Sequence, residues 1–168
     1  MERIFLTGPK HSGKTTAGKI LALISCSEFI DTDELITKKT GKSPRQLFDE
    51  SPDRLKSAEA QAVSELSAHS AKCRRLIIAT GGGIIDNPEA VKLLKEMGTI
   101  VYLNVSAGTA WQRIIKSGEL PAFLQTENPQ ETHRILHERR AAAYLQLADF
   151  TVEAEGKTPA EIAEICVA

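Results

Sequence analysis

The chain has 168 residues, enough for one domain whose core buries about 70% of the unfolded surface. Its 42% hydrophobic and 26% charged residues are ordinary globular composition, and a formal charge of −1 excludes the broad basic field that nucleic acid or an anionic membrane would need. Three cysteines without a CxxC pair read as free thiols in a reducing compartment.

In chain order, an apolar run over Arg3–Thr7 predicts the first strand, and helical periodicity follows over Lys14–Ile24. Between them stands Gly8-Pro9-Lys10-His11-Ser12-Gly13-Lys14-Thr15, the pattern G-x-x-x-x-G-K-[ST]. Strand, loop and helix in that order are the setting a phosphate-binding loop needs. Its glycines let the backbone curl so that successive N–H groups aim at phosphate oxygens. The helix N-terminus adds positive charge, Lys14 reaches the outer phosphates, and the Thr15 hydroxyl can ligate Mg²⁺. Gly8, Lys10, His11, Ser12, Gly13, Lys14, Thr15 and Thr16 are therefore the predicted nucleotide-binding run.

The second predicted strand, Glu28–Asp31, ends in Asp31-Thr32-Asp33, and helices are predicted over Thr32–Thr40, Pro44–Asp49 and Pro52–Ala71. Ligands of open α/β sheets bind beyond the carboxyl ends of strands. Two carboxylates there can divide the work of phosphoryl transfer, one on the metal and one on the acceptor hydroxyl. The competing reading of this D-x-D is a helix N-cap and a first-turn acid. A third strand over Arg75–Thr80 runs into Gly81-Gly82-Gly83, an entropic expense that suits a substrate lying directly on the backbone. The basic run Lys72-Cys73-Arg74-Arg75 reads as the solvated end of a helix. A helix over Asn87–Met97 opens with Asn, Pro and Glu, a cap, a first-turn proline and an acid.

A fourth strand is predicted over Thr99–Asn104 and a helix over Ala107–Lys116, with Trp111 assigned to core packing. Ser117 to Asn128 then breaks the periodicity. In a phosphoryl-transfer enzyme a segment of that kind serves as a lid closing over the nucleotide to exclude water; the other reading is a plain surface connection. On the helix predicted over Pro129–Leu147, His133 and His137 stand four apart, a spacing open to metal. Their charged neighbours Arg134, Glu138 and Arg139 place them instead on an exposed face. A strand over Asp149–Glu153 and a helix over Pro159–Val167 complete the chain. The first residues read as strand and the apolar runs are short, so neither a secretory leader nor a membrane span is expected, and the expectation is a cytoplasmic protein.

Four segments, Gly8…Gly13-Lys14-Thr15, Asp31-Thr32-Asp33-Glu34-Leu35-Ile36, Thr40-Gly41-Lys42-Ser43 and Ala79-Thr80-Gly81-Gly82-Gly83, resemble the shikimate kinase family in order and spacing. Arg140 followed by three alanines and Tyr144, then Ala148-Asp149, resembles the family's R-x-x-x-Y…A-D segment. The resemblance implies an α/β fold, a five-stranded parallel sheet flanked by helices in the three-layer sandwich of P-loop kinases. It implies a single domain over 1–168, a substrate-binding helical segment over 33–62 and a mobile lid over 117–128. It implies phosphorylation of the 3-hydroxyl of shikimate with ATP and Mg²⁺. Carried over by position, Lys14 stabilises the transferring phosphate, Thr15 holds Mg²⁺, and Asp31 acts on the metal through water. Asp33 takes the acceptor hydroxyl, Gly81, Gly82 and Gly83 line the shikimate site, and Arg140 meets the substrate carboxylate. Arg113 corresponds to an adenine-stacking arginine, with Lys157 and Pro159 on the opposite wall.

The departures are specific. Where the family carries F-R-x-x-E, this chain has Leu55-Lys56-Ser57-Ala58-Glu59, so Lys56 keeps the charge of a carboxylate-binding arginine without its planar fork. Leu120-Pro121-Ala122-Phe123 stands where a lid begins with arginine, and His11 occupies a loop position that is usually glycine. Lys10, His11 or Lys116 could supply the charge that the lid lacks. Phe48 matches an aromatic beside the shikimate ring. Other readings are a kinase for another small hydroxylated acid or polyol, and a nucleotide-binding regulatory module of little catalysis. The partners expected are a small-molecule substrate, without nucleic acid or membrane, and the chain is expected to be a monomer.

Overall fold

Five apolar runs form one parallel sheet in the order β2-β3-β1-β4-β5. The structure is a computed structural model that describes residues 2–69, 74–118 and 120–167. In chain order the elements are β1 (Glu2–Thr7), α1 (Lys14–Ile24), β2 (Glu28–Asp31), α2 (Thr32–Thr40), α3 (Pro44–Glu50), α4 (Pro52–Leu66), β3 (Arg75–Ala79), α5 (Pro88–Met97), β4 (Thr99–Asn104), α6 (Ala107–Ser117), α7 (Pro129–Leu147), β5 (Phe150–Glu153) and α8 (Pro159–Val167). Single 3₁₀ turns over Ile84–Asp86 and Ala122–Leu124 were not legible in the periodicity. α4 ends at Leu66, short of the expected Ala71, and Ser70, Ala71, Lys72 and Cys73 lie outside the described residues.

Alternation within each strand sorts the core into two layers. Ile4 and Leu6 of β1, Ile77 of β3 and Leu103 of β4 pack with α1 and α8 on one face. Phe5, Ile78 and Tyr102 point the other way, against α4, α5 and α7. Both faces are covered, which is why the strands read as near-continuous apolar runs. A small third cluster, Ile36, Leu47 and Ala62, ties α2, α3 and α4 into a helical annex beside the sheet. No helix among the described residues is long and apolar enough to cross a membrane.

Parallel strands deliver their connecting loops to one edge. The loop after β1 sits where the strand order reverses, since β1 lies between β3 and β4; that switch point is where an open sheet leaves a crevice. The annex reaches the same edge because Asp31 caps α2, its Oδ1 accepting from the Asp33 amide at 2.9 Å, and because Gly41, at φ 71°, ends that helix. Ser43 and Gln46 then close a capping box around the first turn of α3.

One residue joins annex, edge and helix α5. Asn87 is 3% exposed; its Oδ1 accepts from the Ala90 amide, while Nδ2 donates to Lys56 O at 2.8 Å and Glu59 Oε2 at 3.0 Å. Asn87→Ala removes a cap and takes the hydrogen-bond partner from the buried Glu59 carboxyl, an expected loss of about 2 kcal/mol. Calorimetry should show Tm falling by about 4–8 °C, with Asn87→Ser, which keeps the cap alone, recovering roughly half of the loss.

Candidate active site

Two adjoining cavities open at the carboxyl edge of the sheet. The first, of about 520 Å³, is lined by Lys10 through Thr16, by Asp31 and Asp33, and by Arg113, Lys157 and Pro159. The second, of about 660 Å³, lies between the annex, the glycines after β3, and α7. Lys10, Asp33 and Gly82 line both. Any group passing from one cavity to the other passes these three residues.

The loop that floors the first cavity is shaped by local chemistry. Gly8 has φ 141°, and a Cβ there would stand 2.7 Å from Leu103 O; Gly8 therefore packs against β4 and is not on the cavity wall. Gly13, at φ 99°, enters α1 without any side chain capping the helix, so the first N–H groups of α1 remain available to an anion. His11 occupies the left-handed region at φ 61°, a conformation that costs a non-glycine residue about 1–3 kcal/mol. Its carbonyl accepts from Arg113 Nη1 at 2.9 Å, which pins α6 to the loop, while its Nε2 is buried without a hydrogen-bond partner. Burial and the charges of Lys10, Lys14 and Arg113 hold its imidazole below the usual range.

Lys14 folds back on the loop, Nζ donating to Gly8 O at 2.9 Å and Pro9 O at 2.7 Å. Burial lowers its pKa to about 8, against the opposing pull of the Asp33 and Asp31 carboxylates. Thr15 Oγ1 donates to Asp31 Oδ2 at 2.7 Å, so one carboxylate both caps α2 and meets the loop hydroxyl. The two readings of D-x-D are thus compatible in a single residue. Asp33 is raised above the ordinary carboxyl range by burial and by Asp31, with Lys14 and Lys10 opposing. Arg113, Lys157, Pro159 and Ile162 line the first cavity together with the loop.

In the second cavity Gly81, Gly82 and Gly83 form one wall, as their lack of side chains suggested. A Cβ at Gly81 would stand 2.8 Å from Asp33 Oδ1. Lys56 of α4 and Phe48 of α3 line the same cavity. Arg140 is present, but its guanidinium is turned to Asp86, with Nε 2.8 Å and Nη2 2.7 Å from Oδ2; its plane lies over the Phe123 ring at 5.4 Å. Glu59, quoted in the sequence only as the end of a motif, is buried here and hydrogen-bonded to Asn87. Burial pushes its carboxyl up to about 7 despite that bond. Asp86 and Arg45 were not foreseen at all.

The segment over 117–128 presents Pro121 and Phe123 to the second cavity rather than to the first, and Leu124 is fully buried. The described residues of this segment that line a large cavity therefore line the second one. Lys116 is exposed and lines neither cavity. His133 and His137 are a correction. They are buried, at 6% and 8% exposure, because their face of α7 packs inward, where Trp111 meets His133 and His137 Nε2 donates to Val105 O at 3.0 Å. The charges that suggested an exposed face belong to another side of the helix, where Arg134 bridges Glu131 and Glu138. No group of three or more His, Cys, Asp or Glu is placed to hold a metal among the described residues.

The sequence pattern of the family described as shikimate kinase matches residues 10–168. The chain is 34% identical over 165 residues to a shikimate kinase of Thermodesulfovibrio yellowstonii, covering 98% of this chain and 92% of the relative. It is 35% identical over 158 residues to one of Francisella tularensis, covering 94% and 88%. The solved shikimate kinase from Acinetobacter baumannii in complex with shikimate superposes with a TM-score of 0.88 at 32% identity, over 99% of this chain and 91% of that one. With a phosphate-binding loop, paired aspartates and a triple-glycine wall at one sheet edge, and this likeness along its whole length, the chain belongs to the shikimate kinase family.

Proposed function

We propose that this chain transfers the γ-phosphoryl group of ATP to the 3-hydroxyl of shikimate. The observation that carries the reading is the shared boundary: a loop shaped for phosphates and a cavity walled by glycines meet at Asp33, Lys10 and Gly82. ATP lies with its adenine between Arg113 and Pro159 and its phosphates on the loop amides of Ser12 to Thr16. Lys14 neutralises the transferring phosphoryl. Thr15 and Asp31 offer hard oxygen donors side by side, a donor set that suits Mg²⁺, which keeps several waters, with Asp31 acting through one of them. Held there, Mg²⁺ would supply positive charge to offset that of the phosphates.

On the acceptor side, Gly81, Gly82 and Gly83 let the ring lie against backbone, with Lys56 and Arg140 at its carboxylate end. Asp33 accepts the hydrogen bond of the reacting hydroxyl, which aims one oxygen lone pair at phosphorus. Its raised pKa makes it a better proton acceptor as the oxygen becomes an ester. Lys10 stands at the same boundary, where negative charge spreads over the phosphoryl oxygens, and it supplies cationic charge that Leu120 cannot. Pro121 and Phe123 close the acceptor side to water.

The direct test is ADP release from MgATP with shikimate and a panel of other hydroxylated acids. Saturable shikimate turnover is expected, and Asp33→Asn should lower kcat by about 10²–10⁴-fold with KM for both substrates little changed. Turnover only with another acid would overturn the acceptor, and binding without turnover would overturn the enzyme. Lys10→Ala should lower kcat by about 10²-fold with KM for shikimate nearly unchanged, a split read from the same assay. The pH dependence has a definite sign. Phosphates hold Lys14 protonated, so above its free-enzyme pKa of about 8 nucleotide binding takes up a proton, and ATP affinity falls toward tenfold per pH unit. Calorimetry at pH 9 in buffers of different ionisation enthalpy should register that uptake, and Lys14→Arg should abolish it.

A further inference from the structure

The second cavity carries five cationic and three acidic side chains on its wall, and the cations are not equivalent. Arg140 gives Nε and Nη2 to Asp86 and turns Nη1 toward Gly82 O at 3.4 Å. Arg139 also pairs with Asp86, at 2.9 Å. Two of the guanidinium groups are thus engaged by one carboxylate, and Phe123 covers the plane of Arg140. Arg45 and Lys56 line the same cavity with no side-chain hydrogen bond or ion pair among the described residues.

We infer that Arg45, on the first turn of α3, is a further residue that grips the carboxylate of the acceptor, beside Lys56 and Arg140, and sets the preference for an acid. The inference rests on the reading of the acceptor as a carboxylate such as shikimate. Arg45 follows Pro44, in a turn held by the Ser43–Gln46 capping box, and Leu47 anchors the helix in the annex core. Its backbone is therefore fixed while its side chain is uncommitted. Phe48, three residues on and on the same side of the helix, lines the cavity too. A hydroxylated ring that offers a C–H face and carries a carboxylate meets an aromatic face and a planar fork on one helix. The fork matters because a guanidinium gives two parallel N–H bonds to a carboxylate, whereas the Lys56 ammonium is a point charge on a flexible stem. Lys56 contributes field, and Arg45 contributes orientation.

The experiment measures turnover and calorimetric binding with shikimate and with its methyl ester, for the unmodified enzyme, R45A and R45K. Arg45 is exposed and outside the capping contacts, so both variants should fold with Tm unchanged. R45A is expected to raise KM and Kd for shikimate by about tenfold or more, with kcat and KM for ATP within about twofold. The ester should be affected by less than about twofold, so that discrimination between acid and ester collapses, and R45K should recover only a minor part of the loss. Equal losses on acid and ester, or a shikimate KM in R45A within about threefold of the unmodified enzyme, would overturn the assignment. Failure of the acceptor reading looks different: the unmodified enzyme would not turn over shikimate. Whichever acid it then uses, that acid and its ester decide the role of Arg45 by the same comparison.

Discussion

A Cβ at position 82 would stand 2.7 Å from the Lys10 amide nitrogen, and on that close approach of two loops the site depends. The loop after β1 and the glycine run after β3 press together because β1 and β3 are hydrogen-bonded neighbours in register, Leu6 beside Ala79. Thr80 extends the contact, its amide donating to Leu6 O. Two cavities consequently share a backbone partition instead of being separated by a layer of side chains. Side chains there would hold donor and acceptor apart, and phosphoryl transfer tolerates little extra distance. The glycines are better understood as this thin wall than as flexible hinges.

A thin wall concentrates charge. Burial shifts three groups near it toward neutrality: Lys14 down, Asp33 and Glu59 up. The sign for stability follows. Between about 8 and its unfolded value, Lys14 binds fewer protons in the native state, so stability rises with pH through that window and its burial is a cost below it. Glu59 binds more protons natively between its ordinary value and about 7, so its burial becomes a cost as pH rises through that window. At neutral pH both groups lower the stability of the fold, and an anion beside Lys14 would offset its share. His11, held at φ 61° with an unpartnered ring nitrogen, adds strain of the kind that persists where a surrounding structure over-determines it.

The sheet and helices were legible because each depends on local pattern: apolar runs for buried parallel strands, and Asn, Ser or Thr before Pro or an acid for helix starts. The loop, the aspartates and the glycines were legible for a related reason, since their chemistry is written in contiguous residues. What failed involved contacts across the fold. His133 and His137 looked exposed from their charged neighbours, yet Trp111 and Val105 O, distant in sequence, decide their burial. The pairing of Arg140 with Asp86, 54 residues away, likewise left no mark in the sequence. Arg45 carried no signal because an arginine in the first turn of a short helix is ordinarily solvated surface.

The segment over 117–128 shows how such distant contacts hold a stretch without regular periodicity. Leu124 is fully buried, so the segment is anchored at one point and is not free along its length. Next to that anchor, Phe123 packs on Arg140, and Arg140 is tied to Asp86 beside the glycine wall. Displacing Phe123 would therefore uncover the Arg140 guanidinium on the wall of the second cavity. Phe123 also borders Pro9 and Lys10 in a small cavity beside α7, so the segment and the loop after β1 are neighbours and not independent parts. Lys10, which lines both large cavities, is the loop cation at their shared boundary.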